Sequence, residues 1–200
     1  MKMKWNKAEL IRRLHLHKKI AAVKTPKGIE DALANKERIS AIFLLTGSIT
    51  TIKRYVDVFQ ESDVPVFIHA EKIGGLLLNN EGLDFISDFV KPFGIVTTKA
   101  TVIKKAKERN LCVVQRVFMI DSEVYDNVLE NKSGLNPDII EIMPSTLHSV
   151  VAAYSTRMTT PIITGGLLST VEQAESALNS GAIAISTSNE KLWTKDLSGF

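Results

Sequence analysis

The chain has 200 residues, 44% of them hydrophobic and 24% charged, which suits one soluble globular domain with a sizeable core and would leave two domains each small. A single cysteine, Cys112, lies inside the apolar run LCVVQRV, which excludes a disulfide framework and metal-ligand spacing and fits a reduced, cytosolic compartment. The net charge of +3 is unevenly spread: residues 1–30 hold nine Lys or Arg against Glu9 and Glu30, a surplus of seven, which leaves −4 for the other 170 residues.

The start, MKMKWNKAELIRRLHLHKK, is too charged for the apolar core of a signal peptide, and no apolar run approaches a membrane span. The chain therefore reads as neither secreted nor embedded in a membrane. Residues 1–18 form a basic segment that either meets phosphate, in nucleic acid or on a membrane surface, or is a solvated helix face. Eight short, β-rich apolar runs follow, at 19–24, 39–46, 64–69, 94–98, 111–117, 138–143, 161–164 and 182–186. Between them lie segments with apolar residues at helical spacing, such as Ile49, Ile52, Val56 and Phe59, or Val171, Ala174, Ala177 and Leu178. The second of these closes at Asn179-Ser180-Gly181, with the glycine suited to a left-handed cap. Strands that alternate with helices imply parallel pairing, because each crossover carries the chain back across the sheet. Eight such units predict a single-domain, closed (β/α)8 barrel of minimal size over residues 1–200, with an open doubly wound sheet as the rival. No Gly/Ser-rich linker supports a domain boundary.

A barrel places its ligands at the carboxyl ends of the strands, and the loops after strands seven and eight often bind phosphate through backbone N–H groups and a short helix's amino end. Run seven ends in Gly165-Gly166 and run eight in Ser186-Thr187-Ser188-Asn189, so these six residues are the candidate phosphate site. The bland alternative is a tight turn at the glycines and a helix cap at Ser188 or Asn189. The other strand ends supply His69, Glu71 and Lys72, then Thr97, Thr98 and Lys99, then Gln115 and Arg116, and Glu141 inside IIEIMP. Of these, His69, Glu71, Lys99, Arg116 and Glu141 are candidates for the polar half of the pocket. Glu141 is as well explained by an ion pair with Lys99 or Arg116, and His69 by a hydrogen-bonded core position. His15, His17 and His148 have no metal-ligand spacing. A barrel enzyme of isomerase or aldolase type, acting on a small phosphorylated metabolite, would need an acid or base among His69, Glu71, Lys99 and Glu141.

The motifs FLLTGSI, HAEKIGGL, KPFGIVTTK, QRVFMIDS, DIIEIMPS, ITGGLLST and AIAISTSNEKLW, in order and at similar spacing from about residue 39 to 194, resemble those of the glycerol uptake operon antiterminator regulatory proteins. The resemblance implies a (β/α)8 barrel that is a regulator and not an enzyme. It also implies a bacterial cytoplasmic protein that responds to glycerol 3-phosphate or a similar small phosphate, binds leader mRNA to prevent premature termination, and needs no cofactor. A homo-oligomer stays open. The chain departs from the family pattern at Ser48, where a short acidic residue is expected, at Glu71 in place of aspartate, followed by Lys72, at Lys99 in place of arginine and at Ser145 in place of glycine. Lysine keeps the charge but loses the planar two-pronged contact of arginine. RNA binding is carried by the resemblance; no aromatic-interleaved basic motif stands behind it.

Overall fold

The computed structural model describes residues 5–131 and 134–200. Eight strands close into one parallel barrel in sequence order: β1 (Lys19–Val23), β2 (Ala41–Leu44), β3 (Val66–His69), β4 (Gly94–Thr97), β5 (Cys112–Phe118), β6 (Ile139–Met143), β7 (Ile162–Gly165) and β8 (Ala184–Thr187). Each begins and ends within two residues of an apolar run read from the sequence. The described helices are α1 (Lys7–His17), α2 (Lys27–Ala34), α3 (Ile52–Glu61), α4 (Asn80–Asp84), α5 (Ala100–Glu108), α6 (Ser122–Leu129), α7 (His148–Arg157), α8 (Val171–Asn179) and α9 (Glu190–Trp193). None is long and apolar enough to cross a membrane.

The strands are apolar on both faces because both are covered. Even-numbered β1 residues Ile20 and Ala22 join Phe43, Phe67, Val96, Val114, Ile163 and Ala184 inside the barrel, while Ala21, Val23, Ile42 and Ile68 face the helix layer. Phe67 is central, edge-on to Phe43 and Phe93 at centroid distances of 5.6 and 5.4 Å. The same two-residue period, carried to the carboxyl ends, turns His69, Arg116, Glu141, Gly165 and Ser186 into the barrel and sends Gln115 outward.

Helix α1 closes the opposite end. Asn6 caps it by accepting from the Glu9 N–H at 2.9 Å, and Leu10 and Leu14 insert into the interior cluster below Ile20 and Phe43. Arg13 fixes it in place by donating to the carbonyls of Ile39 (2.8 Å) and Ser40 (3.1 Å), while its guanidinium lies 5.0 Å from the Trp5 ring centroid. Helix α8 carries Ala174, Ala177 and Leu178 inward, starts with a Thr170/Gln173 capping box and ends at Gly181, whose φ is +104°. In α3 the buried face holds Ile52, Val56 and Phe59 as read, but Ile49 precedes the helix and is 45% exposed. Its N–H bonds the Gly74 carbonyl at 2.9 Å, so the β2 loop reaches the β3 loop and leaves the helical period.

Candidate functional site

The strand register, more than sequence distance, assembles the barrel mouth. Arg116 on β5 pairs laterally with Glu141 on β6, and Gly165 on β7 with Ser186 on β8. The Arg116 Nε donates to Glu141 Oε2 at 2.6 Å, and the Ser186 hydroxyl donates to the other carboxylate oxygen. Glu141 is fully buried and Arg116 nearly so. A charge at that depth is tolerated only when paired and hydrogen-bonded, and both Glu141 oxygens are. Arg116, rather than Lys99, is thus the ion-pair partner weighed from the sequence. The terminal guanidinium nitrogens of Arg116 make no hydrogen bond among the described residues.

Gly165 has a packing reason. A Cβ there would strike the Ser186 hydroxyl and stand 2.8 Å from the Ser186 carbonyl oxygen and 3.1 Å from Glu141 Oε1. Removing the side chain from β7 is what lets Ser186 reach Glu141. The left-handed backbone that the glycine pair suggests falls one residue later, at Gly166 (φ +79°), and continues at Leu167 (φ 58°).

The loops after β6, β7 and β8 are tied to one another. Ser145 donates its hydroxyl to the Gly166 carbonyl at 2.7 Å. Asn189 donates Nδ2 to the Ser169 carbonyl at 3.0 Å and accepts the Lys191 N–H at 3.2 Å, which caps α9. Thr187 accepts the Asn189 N–H at its hydroxyl (3.0 Å) and the Trp193 indole N–H at its carbonyl (2.9 Å). The side chains of Thr187 and Asn189 therefore hold the loop, as the capping alternative has it. Ser188 is exposed, and its hydroxyl has no partner among the described residues.

A second cluster lies on the β3 and β4 side. Glu71 accepts from the Thr97 hydroxyl and from the Thr98 N–H (3.1 Å) at one oxygen. Its other oxygen lies 3.1 Å from His69 Nδ1, off the line of a hydrogen bond, and neither buried atom has another partner among the described residues. Burial alone would push the Glu71 carboxyl up, but the adjoining His69 ring and the Thr97 hydroxyl outweigh it and hold the group at about 2. Lys99 stands exposed at the start of α5, its N–H bonded to the Thr97 hydroxyl at 3.1 Å. Lys72 and Lys24 are also exposed just past their strands. Lys24, the last residue of the first apolar run, is not among the site candidates read from the sequence, and Ser145 is read there only as a departure from the family pattern, without its bond to Gly166.

Glu141 is paired with Arg116, and the exposed lysines Lys24, Lys72 and Lys99 stand just past their strands, with the carboxylates of Glu71 and, at the start of α9, Glu190 at the same end. Such a mouth suits a small anion with hydroxyl groups.

A family model described as the glycerol-3-phosphate responsive antiterminator matches residues 19–193. The chain is similar to the glycerol uptake operon antiterminator regulatory protein of Listeria monocytogenes strain 4b F2365, with 32% identity, 88% of this chain and 94% of that chain covered, and a TM-score of 0.81. It is also similar to an antiterminator-related protein of Thermotoga maritima MSB8, with 25% identity, coverage of 90% and 99%, and a TM-score of 0.78. A curated relative, the uncharacterized protein YgcP of Escherichia coli K12, is 31% identical over 88% of this chain and 91% of its own length. Barrel enzymes such as orotidine 5'-phosphate decarboxylase of Pyrococcus horikoshii OT3, 14% identical over 88% of this chain and 91% of that chain at a TM-score of 0.68, share the fold alone.

Proposed function

Because the chain belongs to the family of glycerol-3-phosphate responsive antiterminators, we propose that it is a cytoplasmic regulator of transcription antitermination that takes glycerol 3-phosphate in the barrel mouth and binds leader mRNA. The observation that carries the ligand half is the buried Arg116–Glu141–Ser186 cluster at the strand ends, ringed by the exposed Lys24, Lys72 and Lys99 and flanked by two mutually bonded loops. In this reading the phosphate sits against Gly165-Gly166 and the loop Ser186-Thr187-Ser188-Asn189, where Ser188 offers a free hydroxyl. The glycerol end faces His69, Glu71, Lys99, Arg116 and Glu141. No cofactor enters the reading.

The enzyme reading has one observation in its favour, the His69–Glu71 pair in the mouth. General base catalysis favours a group that titrates near the working pH. Glu71, held at about 2, is a poor base, and both oxygens of Glu141 are already engaged. These facts support a binding site over a reacting one.

Calorimetric titration with glycerol 3-phosphate, inorganic phosphate and glycerol tests the ligand half. Glycerol 3-phosphate should bind tightest of the three, and a hundredfold excess over its Kd should stabilise the fold by about 2.7 kcal/mol. Equal binding of all three, or turnover of triose or pentose phosphates by the purified protein, would count against the regulator.

A further inference from the structure

The pole opposite the mouth holds a buried cation that the ligand site does not use. Lys19, the first residue of β1, is 2% exposed and points away from the barrel interior. An ammonium has three N–H donors, and among the described residues only the carbonyl of Lys195 accepts one. Around it opens a cleft of about 410 Å³, lined among others by His17, Lys19, Glu37, Arg38, Lys195 and Asp196. Arg38 donates to the Thr194 carbonyl at 2.8 Å, so the carboxyl-terminal segment forms one wall. The lining carries three cations, Lys19, Arg38 and Lys195, against the carboxylates of Glu37 and Asp196.

We propose that this cleft binds the phosphodiester backbone of RNA, with Lys19, Arg38 and Lys195 as its cations. The partner rests on the antiterminator reading; the place rests on the cleft. Burial first, then the Arg13 and Lys19 charges, pushes the His17 imidazole down. Burial also pushes the Lys19 ammonium down, Asp196 opposes and Arg38 adds to it. Both groups are poorly hydrated, and the charges nearest His17 are mainly positive, a setting that an entering phosphate would relieve. The basic amino-terminal segment is less available than its composition suggests. Arg13 is committed to backbone carbonyls, Arg12 pairs with Glu9 at 2.7 Å and Lys7 pairs with Asp138. Lys2 and Lys4 lie outside the described residues.

Neutralising backbone phosphates is independent of sequence and releases counterions, so labelled random-sequence RNA is a sufficient probe, read by fluorescence anisotropy across a salt series. The variant Arg38→Gln/Lys195→Gln should bind several times more weakly, and its salt slope should fall by about 1.4, roughly 0.7 for each single-strand phosphate that is no longer neutralised. Asp196→Asn should bind RNA more tightly than the parent. The variant Lys104→Gln/Lys105→Gln, on the exposed face of α5, should behave as the parent. An unchanged slope in the Arg38/Lys195 variant while the parent binds RNA would overturn the cleft and leave the antiterminator reading standing. A parent that binds glycerol 3-phosphate but no RNA would overturn both. Displacement of RNA by an equal concentration of inorganic phosphate, or loss of binding to phosphatidylserine vesicles with RNA binding intact, would also overturn the proposal.

Discussion

Glu141 is a candidate pocket residue that the fold also uses as scaffold. Its two oxygens are taken by Arg116 and Ser186, so Glu141→Gln leaves the buried guanidinium without a counter-charge, at a cost of about 3 kcal/mol or more. Urea melts should register that loss in the absence of ligand. If the unliganded fold is as stable as the parent, the ion pair is not structural. Gly165 belongs to the same cluster. Gly165→Ala should destabilise by roughly 1–3 kcal/mol through overpacking. Because the first atom a Cβ meets is the Ser186 hydroxyl, Ser186→Ala should recover part of that cost in the double variant. Strict additivity would mean that the clash is relieved elsewhere. Glu71 adds a pH signature. Its carboxyl, normally near 4.5, is held at about 2, so its stabilising contribution is fully present above pH 4.5 and is lost as the pH falls towards 2. Glu71→Gln should flatten stability against pH over that window, and a parallel decline in parent and variant would show that Glu71 does not supply it.

At the scale of elements, the strands and most helix faces are legible in the sequence because a parallel barrel buries both faces of each strand and leaves an uninterrupted apolar run. The mouth is only partly legible. The residue types at the strand ends mark where polar groups collect, but which of them bond depends on lateral register. Arg116 and Glu141 are 25 residues apart and meet because β5 and β6 pair at those positions. The reason for Gly165 lies on another strand, in Ser186, and cannot be read from the glycine pair itself. Ile49 misled for the same cause: it continues the α3 period in sequence, yet the loop it belongs to is drawn to Gly74. Helix α1, by contrast, reads as a charged start and proves to be the barrel's floor. Its Leu14 is fully buried among Ile20, Ala41 and Phe43. Leu14→Ala should therefore cost about 2–5 kcal/mol in a denaturant melt, as deep in effect as a strand substitution. A cost near zero would make α1 a surface appendage.

The whole molecule has two candidate binding poles, and one segment of chain runs between them. It starts at Thr187 in the mouth, passes through α9, and reaches Thr194 and Lys195, whose carbonyls hold Arg38 and Lys19. Trp193 is the fixed point of that run: its ring is buried where α9 packs on α2 and β1, and its indole N–H bonds the Thr187 carbonyl at 2.9 Å. A phosphate that settles the Ser186–Asn189 loop thereby settles α9 and the wall of the cationic cleft. Coupling of this kind is reciprocal: glycerol 3-phosphate should tighten RNA binding, and RNA should tighten glycerol 3-phosphate binding by the same factor. Trp193→Phe keeps most of the buried ring and removes only the indole donor. It should leave each ligand's affinity alone in the absence of the other and drive the coupling factor towards one. Anisotropy with labelled RNA, with and without saturating glycerol 3-phosphate, reads that factor directly in parent and variant. An undiminished factor in a folded Trp193→Phe protein would mean that the two poles communicate through the barrel strands instead of along the carboxyl-terminal segment.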